Sequence, residues 1–295
     1  MAKRKQKTSR GGSGMAFLIT FVVFLLIFGG IMVWAVNEYL DQSKPPEAPA
    51  PAPSVTDPPA APAQIRRLLL ITEDGGQARG FVLLSAEAAA GRIRVIPLPR
   101  ETVTTDRTTQ SRLYEVYAAE GVPAVIEQVE TLTGLSVDHY AVMTYANVQK
   151  LVTYLNDGVI FTLPEAVSYQ TADGSTVHMK SGARTLSSTQ VTDLFRYTEW
   201  HSGRRGQANI QGQLIAALID QYFVAARFDE NDTDFKAIIN LTRSDLLVSD
   251  FNAARPDLLT LAKHNNRNIC VLSYPKGEFV GVGEDMRFEA AEPCL

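Results

Sequence analysis

The residues best equipped for chemistry in this sequence are its arginines. In Ile96-Pro97-Leu98-Pro99-Arg100-Glu101-Thr102 an apolar run passes through two prolines and then sets a guanidinium beside a carboxylate. If that run is a strand, the pair lands at its carboxyl end, the rim where α/β sheets commonly bind ligands. A guanidinium stays charged at any working pH, and its planar fork matches oxyanions such as phosphate. Arg112, Arg196, Arg204 and Arg205 are further candidates. Each has a plainer alternative: Arg112 facing solvent, Arg196 on a helix surface, Arg204–Arg205 in an exposed loop, Arg100–Glu101 as a solvated turn pair. Competing chemistries lack their residues. No G-x-S-x-G, P-loop, dinucleotide fingerprint or H-E-x-x-H occurs, and His139, His178, His201 and His264 lack metal-ligand spacing.

A rim of that kind needs a sheet behind it, and the hydrophobic pattern predicts an α/β fold with a mixed central sheet sandwiched between helices. Arg66–Ile71 and Phe81–Ser85 are apolar runs flanking Gly75–Gly76, and Arg92–Leu98 follows Gly91, so this region reads as a meander of strands. Pro123 then opens a helix with Val125, Ile126, Val129 and Leu132 on one face, ended by Gly134. Val137–Met143 reads as a strand, Ala146–Leu155 as a helix and Val159–Leu163 as a strand stopped by Pro164. Val167–Gln170 and Thr176–Met179 suggest a hairpin, and Ile210–Arg227, Asp234–Leu247 and Ser249–Asn265 suggest helices. A last strand pair, Ile269–Tyr274 and Phe279–Val282, is expected to turn at Lys276–Gly277.

Two segments precede this body. Lys3, Arg4, Lys5, Lys7 and Arg10 lead into Met15–Val36, 22 residues without a charge. A helix of that length spans roughly 33 Å, enough for a bilayer core of about 30 Å. The charge bias predicts a single-pass anchor with a cytoplasmic amino terminus and everything after it outside the cell membrane; a cleaved signal peptide, with Val33 and Ala35 as its small-residue site, is the alternative. Ser43–Ala63 holds eight of the 15 prolines and reads as a semi-extended spacer or as plain disorder, leaving 64–295 as one folded domain. Beyond residue 36 the chain carries 23 basic against 32 acidic groups, a net charge of −9, which argues against a nucleic-acid partner. Cys270 and Cys294, the only cysteines, are expected to form a disulfide on the exported side, with two free thiols as the alternative.

The motifs resemble a known family. Pro99-Arg100-Glu101-Thr102 looks like the Pro-Arg-Asp-Thr signature of the LytR–CpsA–Psr family, membrane-anchored enzymes that attach glycopolymers to bacterial cell walls. The likeness runs in order over nearly all of residues 66–285. Arg112-Leu113-Tyr114 with Tyr117-Ala118 and Gly121 falls where the family has a basic residue, Asn, Ala-Tyr and Gly-Gly. The stretch from Val129 to Tyr140 is similar to its helix, glycine and Ile-Asp-Tyr-Tyr strand, and Gly158–Pro164 to its Gly-Gly-Val-x-Val-x-Pro strand.

The resemblance implies transfer of a glycosyl phosphate from a polyprenyl pyrophosphate carrier to a hydroxyl of peptidoglycan or another wall polymer. It implies Arg100 and Arg196 as diphosphate clamps and Glu101 as the carboxylate beside any Mg²⁺, with Arg112, Arg204, Arg205 and Gln211 on the substrate. Val125, Ile126 and Val129 would line a prenyl groove, or else be ordinary core. The chain also departs from the family. Arg79-Gly80 stands where an Asp-Thr pair is usual, which weighs against Mg²⁺. Thr198 replaces the second arginine of an Arg-x-Arg, and Gly206–Gly212 keeps Gly206 and Gln211 but loses two arginines. Arg204, Arg205 and Arg79 are the cations near enough in sequence to take over. A degenerate, non-catalytic lipid-binding or scaffolding module is the alternative to an enzyme.

Overall fold

The computed structural model describes residues 64–106, 109–155, 158–171, 174–228, 232–265, 268–291 and 294–295. The anchor expected at 15–36 and the spacer lie outside these residues, and no described helix is long and apolar enough to cross a membrane. The predicted meander forms as Ile65–Asp74 (β1), Gln77–Glu87 (β2) and Arg92–Leu98 (β3). A small ribbon, Val103–Asp106 (β4) and Thr109–Arg112 (β5), leads into helices Leu113–Glu120 (α1) and Val122–Thr133 (α2). Next come His139–Thr144 (β6), Tyr145–Tyr154 (α3) and Val159–Leu163 (β7). Val167–Gln170 (β8) and Thr176–Met179 (β9) make the expected hairpin, and Gly182–Leu186 (β10) returns to pair with β7. The remainder is Ser188–Arg196 (α4), Gly203–Tyr222 (α5), Thr233–Ile239 (α6), Arg243–Ser244 (β11), Val248–His264 (α7), Cys270–Leu272 (β12), Gly277–Val280 (β13) and Arg287–Ala290 (β14).

Six strands make one sheet in the order β11-β6-β1-β2-β3-β12. β2 runs antiparallel to β1 and β3, while β6 and β12 lie parallel to β1 and β3, so the sheet is mixed. Alternation along the strands feeds two cores. Leu69, Ile71, Phe81, Leu83, Ile96 and Leu98 pack with α1 and α2 on one face. Val82, Ile93, Val95 and Met143 pack with α3, α4 and α5 on the other. The packed layers confirm the expected sandwich.

Three expectations need correction. The helix read over Asp234–Leu247 stops at Ile239; Arg243 and Ser244 instead pair antiparallel with Val142 and Ala141, closing the sheet edge. The last strand pair is not a hairpin of β12 with β13. β12 joins β3 in parallel and β13 pairs with β14, because the next free sheet edge beside Ile93–Val95 captures Cys270–Leu272 first. The third correction is the disulfide: Cys270 and Cys294 are free thiols. Cys270 packs on the α5 face of the sheet, while Cys294 is buried on the α2 face with its amide on Leu132 O at 3.2 Å. A bridge needs thiols that face each other, and these two pack on opposite faces of the sheet to which Cys270 belongs. Hydrogen bonds hold the tail in its place, with the Lys276 amide donating to Cys294 O at 2.7 Å.

Candidate functional site

The carboxyl ends of β1 and β3 and the amino end of β2 form one rim of the sheet. β3 runs through Pro97 to Leu98, and the chain then turns sharply, with the Thr102 amide and hydroxyl both donating to Pro99 O at 3.0 and 2.6 Å. α1 holds this turn through Leu113 N to Thr102 O (2.9 Å) and Tyr114 N to Arg100 O (3.3 Å), and β14 holds it through Phe288 N to Glu101 O (2.8 Å). The proline-bounded strand end therefore fixes both side chains of the Arg100–Glu101 pair. They face each other, Arg100 Nε lying 3.6 Å from Glu101 Oε1.

Arg204 comes to the same carboxylate from the first turn of α5, its Nε 3.5 Å from Glu101 Oε1. That approach depends on Gly212 further along α5. A Cβ there would lie 2.8 Å from Pro97 Cγ, so only glycine lets the helix settle onto β3 at this depth.

The third cation is Arg79, and a β-bulge delivers it. Thr72 pairs with Gly80 and Glu73 with Ala78, which leaves Arg79 as the extra residue of β2. Bulges re-aim side chains, and this one sits two residues short of the point where Phe81 pairs with Leu98, beside the Arg100 turn. Gln211, buried on α5, donates to the bulge carbonyl Arg79 O at 3.4 Å and to Phe195 O at 3.1 Å. It fits because residue 80 is glycine: a Cβ there would lie 2.3 Å from Gln211 Oε1.

The electrostatics reflect the crowding. Burial pushes the Glu101 carboxyl above its usual range, against the opposing pull of Arg204 and then Arg100. Burial also lowers the Arg100 pKa; Glu101 counters this, while the nearby charges of Arg79 and Arg204 add to it. Arg100 Nε is buried without a hydrogen-bond partner, and its guanidinium lies 4.2 Å over the Tyr114 ring. Among the described residues the Arg79 guanidinium makes no hydrogen bond or ion pair.

The other expected site residues are placed differently. Arg112 donates to Glu284 O and pairs with Glu115 at the start of α1, with its guanidinium 5.0 Å over Tyr114, so it ties the α1 start to the segment before β14. Arg196 is held by Asp74 at 3.0 and 3.3 Å, with Asp193 at 3.8 Å. Arg205 donates to Gly277 O at 2.8 Å and packs over Phe279 and Phe288. The α2 face proposed as a groove is core: Val125 and Val129 are 0% exposed and Ile126 is half-buried, closed over by the apolar face of the sheet. Tyr114 and the full importance of Arg79 were missed. The short β2 opening after Gly75–Gly76 was the available signal for Arg79, but a bulge leaves no mark in the hydrophobic pattern.

Mg²⁺ favours six oxygens in octahedral array, usually with one or two carboxylates. The rim offers Glu101 alone, already faced by two guanidiniums. Asp74 is taken by Arg196, and Glu73 by Tyr117 and Arg243. No cluster of three or more His, Cys, Asp or Glu suited to a metal occurs among the described residues. As a donor set, this rim is a poor match to Mg²⁺.

A family model described as the LytR_cpsA_psr family matches residues 71–285. The chain belongs to that family. Its fold is shared with a protein from Eubacterium siraeum DSM 15702 (TM-score 0.65, 17% identity, covering 82% of this chain and 95% of that one). It is likewise similar to B. subtilis TagV (TM-score 0.65, 14% identity, 78% and 92% covered). TagT bound to LIIa-WTA is a third such structure (TM-score 0.58, 16% identity, 77% and 85% covered). No curated protein matches the chain.

Proposed function

We propose that this protein works in bacterial cell-envelope biogenesis, anchored by Met15–Val36 with its folded domain outside the cell membrane. There it binds a polyprenyl-(pyro)phosphate-linked glycopolymer and transfers the glycosyl phosphate to peptidoglycan or another wall polymer. The observation that carries this reading is the meeting of Arg100 and Arg204 at Glu101, with Arg79 near Arg100, at one sheet rim. Membership of the family, one of whose similar structures is TagT bound to LIIa-WTA, supports this choice of ligand class.

In the transfer, an acceptor hydroxyl oxygen attacks the sugar-bearing phosphorus, and the bond from that phosphorus to the bridging oxygen of the diphosphate breaks, releasing polyprenyl phosphate. The hydroxyl proton passes to Glu101, whose buried carboxyl has a raised proton affinity. The guanidiniums hold the phosphoryl oxygens while charge moves onto the leaving group, and positioning and charge stabilisation supply most of the acceleration in such reactions. The test is glycopolymer transfer by purified protein. Loss of transfer in Arg100→Ala supports the enzyme with Arg100 as its clamp, retained transfer takes Arg100 out of the mechanism, and no transfer by wild type sinks the enzyme.

One observation favours a second reading, a binding module without turnover: Arg196 is already neutralised by Asp74 and Asp193. Polyprenyl phosphate that co-purifies with a protein giving no transfer would select it. Absence of both lipid and transfer would defeat both readings.

A further inference from the structure

Resting on the reading above, we infer that this rim grips its diphosphate without a divalent cation, and that Arg79 supplies the positive charge a metal would bring. The first support is the bulge. β2 inserts Arg79 as an unpaired residue, and Gln211 takes up the carbonyl at that step, so the backbone irregularity is stabilised by a buried amide. Bulges of this kind turn a side chain toward a site.

The second is the partner balance. Arg100 and Arg204 face Glu101, and the charge of Arg79 is felt at Arg100, so with Arg112 matched by Glu115 these three cations have one carboxylate among them and leave two positive charges in excess if Glu101 is ionised. A pyrophosphate linking a prenyl chain to a sugar is a diester with two negative charges, so the surplus and the ligand cancel. Arg204 gives one nitrogen to Gln207 at 3.0 Å, but Arg79 has no partner among the described residues and Arg100 Nε is buried with none. Buried donors left unpaired are costly, and a ligand oxygen relieves them.

The third support is what the rim would do to a metal. A divalent cation close to Glu101 would be attracted by one carboxylate and repelled by the two guanidiniums that face it, with the charge of Arg79 near Arg100 adding to the repulsion. Residue 80 supplies no side-chain oxygen, and the space beside it is filled by Gln211 and the Thr72 hydroxyl. The pair Arg79-Gly80 thus acts as a unit: the first residue brings charge, and the second makes room for the amide that holds the first in place.

The experiment titrates the full chain in detergent micelles with geranyl pyrophosphate by calorimetry, once in EDTA and once in excess MgCl₂, with thermal unfolding as a check on each variant. Wild-type protein is expected to bind equally well in EDTA, with Mg²⁺ giving no tightening. Arg79→Gln should weaken binding about ten- to a hundredfold in both buffers, and Arg79→Asp should remove binding in EDTA. Wild-type binding that vanishes in EDTA and returns with Mg²⁺ overturns this inference and leaves the proposed function standing. Unchanged affinity in a folded Arg79→Gln overturns it too. No binding of the diphosphate by wild type in either buffer defeats both. Should Arg79→Gln fail to fold, the wild-type comparison of the two buffers still decides.

Discussion

Arg204 and Arg205 are neighbours in the chain and opposites in the fold. Arg204 turns toward Glu101 on the rim; Arg205 donates to Gly277 O and lies over two phenylalanine rings. The same contrast separates Arg79 and Arg100 from Arg112 and Arg196. The first group, with Arg79 near Arg100 and Arg100 on Glu101, keeps a surplus of charge, whereas the second is matched by carboxylates and backbone carbonyls of its own. An arginine count therefore says little about binding. What matters is whether the protein has already satisfied the guanidinium, because a satisfied one must break bonds before it can hold a ligand.

That contrast can be broken at several points. The largest effect is expected at Arg204: Arg204→Ala should weaken diphosphate binding about ten- to a hundredfold, while Arg205→Ala leaves it within about threefold. Arg205→Ala should instead lower unfolding free energy by about 1–2 kcal/mol in urea titrations, from one hydrogen bond and two ring contacts. Equal losses of affinity in the two variants would erase the distinction. Gly212→Ala tests how the helix carries Arg204 to the rim. It should cost about 1–3 kcal/mol of stability, and binding should weaken with it as α5 is pushed off Pro97.

Glu101→Gln gives a smaller, pH-dependent effect. Burial raises the folded-state pKa of Glu101, so the folded chain holds that proton more tightly than the unfolded one. Its ionisation then opposes folding as pH rises above the ordinary carboxylate pKa of about 4, and Glu101→Gln should gain melting temperature relative to wild type as pH is raised from there. A constant difference would refute the burial argument. Smallest of all, Arg196→Ala should change stability by less than about 1 kcal/mol, since its pair with Asp74 is well exposed.

Much of the frame was legible because hydrophobic periodicity reports it. The β1–β3 meander, α2 between Pro123 and Gly134, and the β8–β9 hairpin each carry their own local pattern. What stayed hidden depended on partners distant in sequence. Cys270–Leu272 reads as a strand but cannot declare that β3 will claim it, and the spacing of two cysteines does not reveal that they pack on opposite faces of a sheet. At the site, Arg100–Glu101 was readable from its proline-bounded strand end. Arg196 was not separable from a clamp by sequence, because Asp74 lies 122 positions away. The groove assigned to Val125, Ile126 and Val129 failed for the plainest reason, that an apolar stripe on a short helix usually faces a sheet.

The Arg100 turn is fastened from both ends of the domain. Its Glu101 carbonyl waits for the amide of Phe288, and β3 waits for β12. During synthesis, then, the three cations are made long before the last clamp on their rim exists. A chain cut short before Lys276 would keep Arg79, Arg100, Glu101 and Arg204 and still lose the Phe288 contacts that brace their turn. The bracing of that turn is, in that sense, one of the last features this polypeptide acquires.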